Sequence, residues 1–299
     1  MGKFAKKDPL EVAQKQAANV MRTIQGTHIK SVGTVRNYEE ALSRVAQYVN
    51  QALSIGLREI TPEQALSYLE QRSEEVGQKT LDMERQAIQA MMHFTSKKLP
   101  LDVRLERVKS EHEQILKSRA YTPEQVRLIS AAQQSQNALS TQIAYAAGLR
   151  GHELFTLRRI EERAPSDRPA LDTKFQGRDG DRYTVHGKGG LVREVCIPRP
   201  LAEQLEARRL TEPRTVTDRG INYQQHYDIG AGKSWATSFS SAATRTLGWS
   251  EGAHGVRHSY AQERMYELQN SGMTRSLALE VVSQEMGHFR PDITETYLR

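Results

Sequence analysis

The chain has 299 residues, 37% of them hydrophobic and 26% charged, which is the composition of folded domains rather than of a fibrous or disordered chain, with room for about two domains of ordinary size. Lysine plus arginine number 42 against 36 acidic residues, a formal charge of +6, which suits a polyanionic partner without requiring one. The single cysteine, Cys196, excludes an internal disulfide and a cysteine zinc site and fits a reducing cytoplasm.

No apolar run approaches the roughly 20 residues needed to span a bilayer, and the start MGKFAKKDPLEVAQ lacks the apolar core of a secretory signal. Lys3, Lys6 and Lys7 read as a solvated tail. In TVRNYEEALSRVAQYVNQAL, Tyr38, Leu42, Val45, Ala46 and Val49 recur at three and four residue spacings and form one helical stripe, with a stop at Ser54 to Gly56. Thr61-Pro62-Glu63-Gln64 offers an N-cap, a proline at the first helical position and a capping-box glutamine, and LDMERQAIQAMMHF repeats the helical pattern. The first third is therefore expected to be all helical. The stretch KKLPLDVRLERVKSEHEQILKSRA, with its proline, charges and weak periodicity, reads as a connector in which some helix continues.

A second start follows at Tyr121-Thr122-Pro123-Glu124-Gln125. The boundaries expected are 1–116 for the helical domain with its linker and 117–299 for the second domain. Within the latter, Tyr183 to His186 and Val192 to Ile197, flanked by glycine-rich turns, predict a β-hairpin. Helices are expected from Pro200 onward, apart from a polar, irregular segment from Thr211 to Lys233 that reads as a long loop. The fold class is thus mainly α with a small β-sheet.

The chemistry-bearing residues are scattered over the second domain. They are Arg150 and Glu153 in AAGLRGHEL, read as sharing a helix face at i and i+3; Lys188 in HGKGGLVR; His254 and Arg257 in HGVRH; His288 in MGH; and Tyr297, nine residues beyond His288. Taken singly, each has a plainer reading: a surface ion pair, an exposed turn lysine, a core histidine, a packed tyrosine. His254 and His258 stand four apart, but there is no HExxH pattern and no third metal ligand. Gly230-Ala-Gly-Lys-Ser234 ends like a phosphate-binding loop, yet Tyr227 occupies the place of its first glycine.

In order and spacing the set resembles the active site of the tyrosine recombinase (phage integrase) family, with a helical core-binding domain ahead of the catalytic domain. The resemblance implies a site-specific recombinase or integrase, of the kind found on mobile genetic elements, that cuts and rejoins DNA through a covalent 3′-phosphotyrosine. It implies that Arg150 and Arg257 grip the scissile phosphate, supported by Glu153, and that His288 donates a hydrogen bond to it. Tyr297 is the nucleophile, His254 the base or proton relay, and Lys188 the acid that protonates the departing 5′ hydroxyl. No cofactor and no metal are implied.

The implied partners are double-stranded DNA, a homo-tetramer on paired DNA sites and accessory DNA-bending proteins, with no membrane, in a prokaryotic cytoplasm. In the family the two domains clamp the duplex, and Arg22, Lys30, Arg36 and Lys79 are candidate base readers. Only Leu298 and Arg299 follow Tyr297, where the family usually has a tail or helix that packs on a neighbouring subunit. The competing readings are a type IB topoisomerase, which would relax any supercoiled plasmid, and a DNA-binding regulator that has lost turnover, which would lack a catalytic residue.

Overall fold

The computed structural model describes residues 8–112 and 117–299, with Lys188 described in its backbone alone; Lys3, Lys6 and Lys7 lie outside the described residues. The chain divides into two compact units, Met1–Ile115 and Leu116–Arg299.

The first unit contains α1 (Pro9–Ile24), α2 (Val32–Tyr48), α3 (Pro62–Ser73) and α4 (Gln78–Met91). The expected stripe on α2 is the buried one: Leu42, Val45, Ala46 and Val49 face the core, and the helical run closes where Ser54 turns left-handed at φ 55°. The Thr61/Gln64 capping box forms at the start of α3. Inside the bundle, Glu84 of α4 is fully buried. It accepts hydrogen bonds from Arg44 Nε of α2 at 3.1 Å and from Tyr68 Oη and Arg72 Nε of α3 at 2.9 and 3.2 Å. Three helices thus share one satisfied buried charge. The connector departs from expectation. Residues 97–112 contain no helix and belong to this unit, with Leu99 and Leu105 in its core. The backbone N–H groups of Leu105 and Ser110 donate to the side chains of Gln89 and Gln78, so α4 satisfies polar groups that a helix would have paired internally.

The second unit opens with α5 (Pro123–Ala131), begun by the Thr122/Gln125 capping box, and α6 (Ser135–Ala147). The expected hairpin is present as β2 (Asp181–His186) and β3 (Val192–Ile197), to which β1 (Arg158–Arg159) adds an antiparallel edge. Then come α7 (Arg199–Glu206), β4 (Arg209–Asp218), β5 (Ile221–Tyr227), α8 (Gly232–Leu247), α9 (Gly255–Asn270), α10 (Arg275–Glu285) and α11 (Pro291–Glu295). The segment read as a long loop is therefore a second antiparallel hairpin. Its composition is polar because it is mostly solvated, but Gln225 and Tyr227 are buried. Its register slips between Arg209 and Arg214, where Pro213 has no N–H to give the ladder. Among the described residues no helix is long and apolar enough to cross a membrane.

Gly148 ends α6 in the left-handed region at φ 59°, and a Cβ there would lie 2.7 Å from the Tyr260 ring. Gly177 has a similar φ of 75° with open space around it. Gly177→Ala should therefore cost only the conformational strain, about 1–2 kcal/mol. Gly148→Ala should cost about 2–5 kcal/mol, because overpacking is added. Urea denaturation of the two variants checks this, and equal losses would refute the packing role of Gly148.

Candidate active site

The site begins at the end of α6, where Gly148 turns the chain and leaves its carbonyl facing inward. That carbonyl accepts from Arg193 Nη2 at 3.2 Å and from Arg257 Nη1, and the negative end of a helix dipole favours cations at this place. Arg150 and Glu153 follow. They do not share an α-helical face, because α6 has already ended. They meet across a tight turn in which Glu153 N–H donates to the Arg150 carbonyl at 2.9 Å. Glu153 Oε2 accepts from Arg150 N–H at 2.7 Å and Oε1 from Arg150 Nη1 at 2.9 Å.

Glu153 has no solvent exposure. Arg193 of β3 donates to it through Nη2 at 2.7 Å and Nε at 3.3 Å, and Arg257 Nη1 of α9 stands 3.9 Å away. Burial by itself would raise this carboxyl, but Arg193, Arg257 and Arg150 together hold it well below the ordinary carboxylate range. Arg257 is itself fully buried. Its Nη2 donates to the Met286 carbonyl at 3.2 Å and lies 3.1 Å from His288 Nε2, while its Nε has no partner among the described residues. Burial, and then the charge of Arg150, push its guanidinium down to about 10.

His288 follows Gly287, whose φ of 73° turns the chain after α10; a Cβ at that glycine would meet Arg193 Cδ at 2.5 Å. Because a guanidinium only donates, His288 Nε2 accepts from Arg257, and its proton sits on Nδ1, 3.0 Å from Thr294 Oγ1. Burial and the neighbouring Arg257 lower His288 to about 3. Burial and Arg119 lower His258 to about 4. His254, at the N-cap of α9 and open to solvent on one side, moves the same way, through desolvation and then Arg257.

Tyr297, just past α11, is nearly buried with its ring among these groups. The His258, His288 and His254 rings lie 4.7, 5.1 and 5.6 Å from it between centroids, and Arg257 Cζ is 5.4 Å from its centroid. Its hydroxyl makes no hydrogen bond among the described residues. The side chain of Lys188 lies outside the described residues. Its backbone forms a short 3-10 turn between β2 and β3, and a Cβ on the preceding Gly187 would stand 3.6 Å from Glu153 Oε1, so the turn begins beside the buried carboxylate.

Arg150, Glu153, His254, Arg257, His288 and Tyr297 thus converge, although Arg150 and Tyr297 are far apart in sequence. The sequence left two participants without a role. Arg193 alternates with Val195 and Ile197 on the buried face of β3, so an arginine at an inward strand position was the available signal. In the sequence His258 stands out only through its four-residue spacing from His254. Among the described residues no group of three or more His, Cys, Asp or Glu side chains stands together as a metal site.

The Glu153 geometry carries a stability consequence. Glu153→Gln leaves Arg193 without its buried counter-charge and should lose about 3–5 kcal/mol in urea denaturation at neutral pH; a loss near zero would contradict the pairing. The folded carboxyl titrates below its unfolded value of 4.5. The stabilisation is therefore fully present above that value and is lost as pH falls toward the folded pKa, so the gap between wild type and variant should narrow on acidification.

No protein-family model matches the chain, and no curated protein matches it. Among solved structures, it is similar to the XerH site-specific recombinase bound to difH substrate, with a TM-score of 0.56 and 16% identity over 99% of this chain and 94% of that one. It is also similar to the Tn1549 transposon integrase in complex with a circular intermediate DNA, at 0.52 and 13% over 96% and 95%. A lambda integrase tetramer bound to a Holliday junction matches at 0.59 and 14% over 98% and 81%. At these identities the likeness establishes architecture, and the chain accordingly has the fold of the tyrosine recombinases.

Proposed function

We propose that this chain is a site-specific DNA recombinase or integrase that cuts and rejoins strands through a covalent 3′-phosphotyrosine at Tyr297. The observation that carries the reading is an excess of fixed positive charge around a tyrosine. Arg150, Arg193 and Arg257 share the one carboxylate of Glu153, so the cluster carries an excess of positive charge that an anion would balance. A phosphodiester supplies that anion, and its charge grows in the transition state, where preformed guanidiniums stabilise it most.

In this reading Arg150 and Arg257 bind the non-bridging oxygens. A phosphate that takes over Arg257 Nη2 frees His288 Nε2, and the added negative charge raises the imidazole so that it can carry a proton and donate to the phosphate. The Tyr297 oxygen forms a bond to phosphorus as the bond to the 5′ oxygen breaks. The phenol proton goes to His254, neutral at physiological pH because its pKa is depressed, with His258 as the nearer second imidazole. Lys188 protonates the departing 5′ oxygen. Attack by the 5′ hydroxyl of another strand reverses the step without ATP, because the phosphotyrosine conserves the bond.

The first unit, residues 1–116 with the linker, would serve as the core-binding domain, and 117–299 as the catalytic domain. The partners would be double-stranded DNA and three further copies in a tetramer on paired sites, with accessory DNA-bending proteins. The lambda integrase tetramer on a Holliday junction supports that assembly. The setting would be a prokaryotic cytoplasm.

Nicked suicide duplexes test this. Wild-type protein should form a denaturant-resistant DNA adduct and Tyr297→Phe none, with DNA binding retained. Arg150→Ala should slow adduct formation by about 100- to 1000-fold, as for loss of one oxyanion donor. An undiminished adduct with Tyr297→Phe would assign the attack to another residue.

A further inference from the structure

Beside Arg150 lies a cleft of about 290 Å³ whose lining includes Arg150, His152 and His254 together with Asp218 and Arg219 from the tip of the β4–β5 hairpin. The hairpin residues have no part in the site described above, yet they are fixed to it. Tyr223 of β5 stacks on Phe155 at 4.9 Å between centroids and 16° between planes, and Phe155 shares its 3-10 turn with Glu153. Asp218 Oδ1 accepts from the Lys233 N–H at 3.0 Å where α8 begins, and the adjoining Gly232 N–H donates to the Gly151 carbonyl at 2.8 Å. The tip is therefore held in place relative to Arg150.

The tip is a two-residue turn with positive φ at both central positions, 52° at Arg219 and 77° at Gly220. Asn or Asp is the residue sterically suited to the first of these. Non-glycine residues held in that region concentrate at ligand contacts. Among the described residues the only ion-pair partner of Arg219 is Asp218, at 4.0 Å, and about half of the Arg219 side chain is exposed (52%). A pair that long and that exposed restrains a guanidinium weakly. Arg219 is thus a barely neutralised cation, carried on a fixed turn, in the cleft that Arg150 and His254 line.

We propose that Arg219 contacts a DNA backbone phosphate next to the scissile one, which makes the β4–β5 tip part of the DNA-binding surface. This rests on the reading of the site as a DNA-cleaving one. Such a contact fixes the position of the strand and carries no base information, so its loss weakens binding alike across sequences.

The test is fluorescence anisotropy of the full chain on a mixed-sequence duplex over a series of salt concentrations. Arg219→Asn should make the negative slope of log affinity against log salt shallower by about 0.9, the share of one phosphate contact, while Arg219→Lys, which keeps the charge, should retain the wild-type slope. Asn suits the turn, so the urea midpoint of Arg219→Asn should equal or exceed that of wild type, which separates lost contact from lost fold. An unchanged slope in Arg219→Asn, with the Tyr297 adduct still forming in wild type, overturns this proposal alone. A wild-type chain that neither binds the duplex nor forms an adduct overturns the reading of the site, and this proposal with it.

Discussion

Glu153 is wholly buried and still carries its charge, because Arg150, Arg193 and Arg257 reach it from a turn, a strand and a helix that are distant in sequence. A lone carboxylate in that environment would take up a proton rather than bear the desolvation cost. Surrounded by guanidiniums it stays ionised, and in turn it determines where each of them stands. The carbonyls of Gly148, Glu285 and Met286 accept four further bonds from Arg193 and Arg257. Very few orientations satisfy all of these bonds at once. The arginines are therefore held rigidly before any ligand arrives, and electrostatic stabilisation of a developing charge needs that preorganisation.

The same ion cluster sets the protonation of its surroundings. Three guanidiniums against one carboxylate leave a positive field; burial with that field keeps His288 neutral at physiological pH, and burial with Arg119 and then Arg257 does the same for His258. Neutral imidazoles can accept a proton. The tautomer of His288 follows from its neighbours: Arg257 can only donate, so Nε2 accepts and Thr294 faces the protonated Nδ1. An anion bound here would redistribute these bonds and so alter the state of the histidine beside the Tyr297 ring.

Tyr297 is held differently from the arginines. It follows a helix of five residues, α11, which is tied to α10 by the Arg275–Glu295 pair at 2.7 and 2.8 Å. Gln262 Nε2 donates to the Tyr297 and Arg299 carbonyls. These are mostly exposed contacts, weaker than the buried cluster. The cations are thus fixed by buried ion pairs, while the hydroxyl-bearing residue is held by the packing of its ring and by mostly exposed polar contacts.

Much of this was legible in the residues themselves. The capping boxes at Thr61 and Thr122, the apolar stripe of α2 and the β2–β3 hairpin depend on neighbours within a few positions, and they form as local chemistry requires. The segment from Thr211 to Lys233 reads as a loop because a strand pair with polar faces lacks the apolar alternation that marks a half-buried sheet, and because Arg-Gly stands where Asn-Gly would announce the turn. The structure of the connector is hidden in the sequence for a related reason: its backbone partners are Gln78 and Gln89, glutamines of a helix whose packing no local pattern reveals.

By itself the sequence determined the order and spacing of Arg150, Lys188, His254, Arg257, His288 and Tyr297, and so the kind of chemistry they can perform. Only the tertiary structure decided that Arg150 and Glu153 meet across a turn rather than along a helix, that Arg193 completes the buried cluster, and that the β4–β5 tip lines the cleft beside Arg150. Each of these rests on contacts between segments far apart in the chain, and such contacts exist only once the core has closed around them.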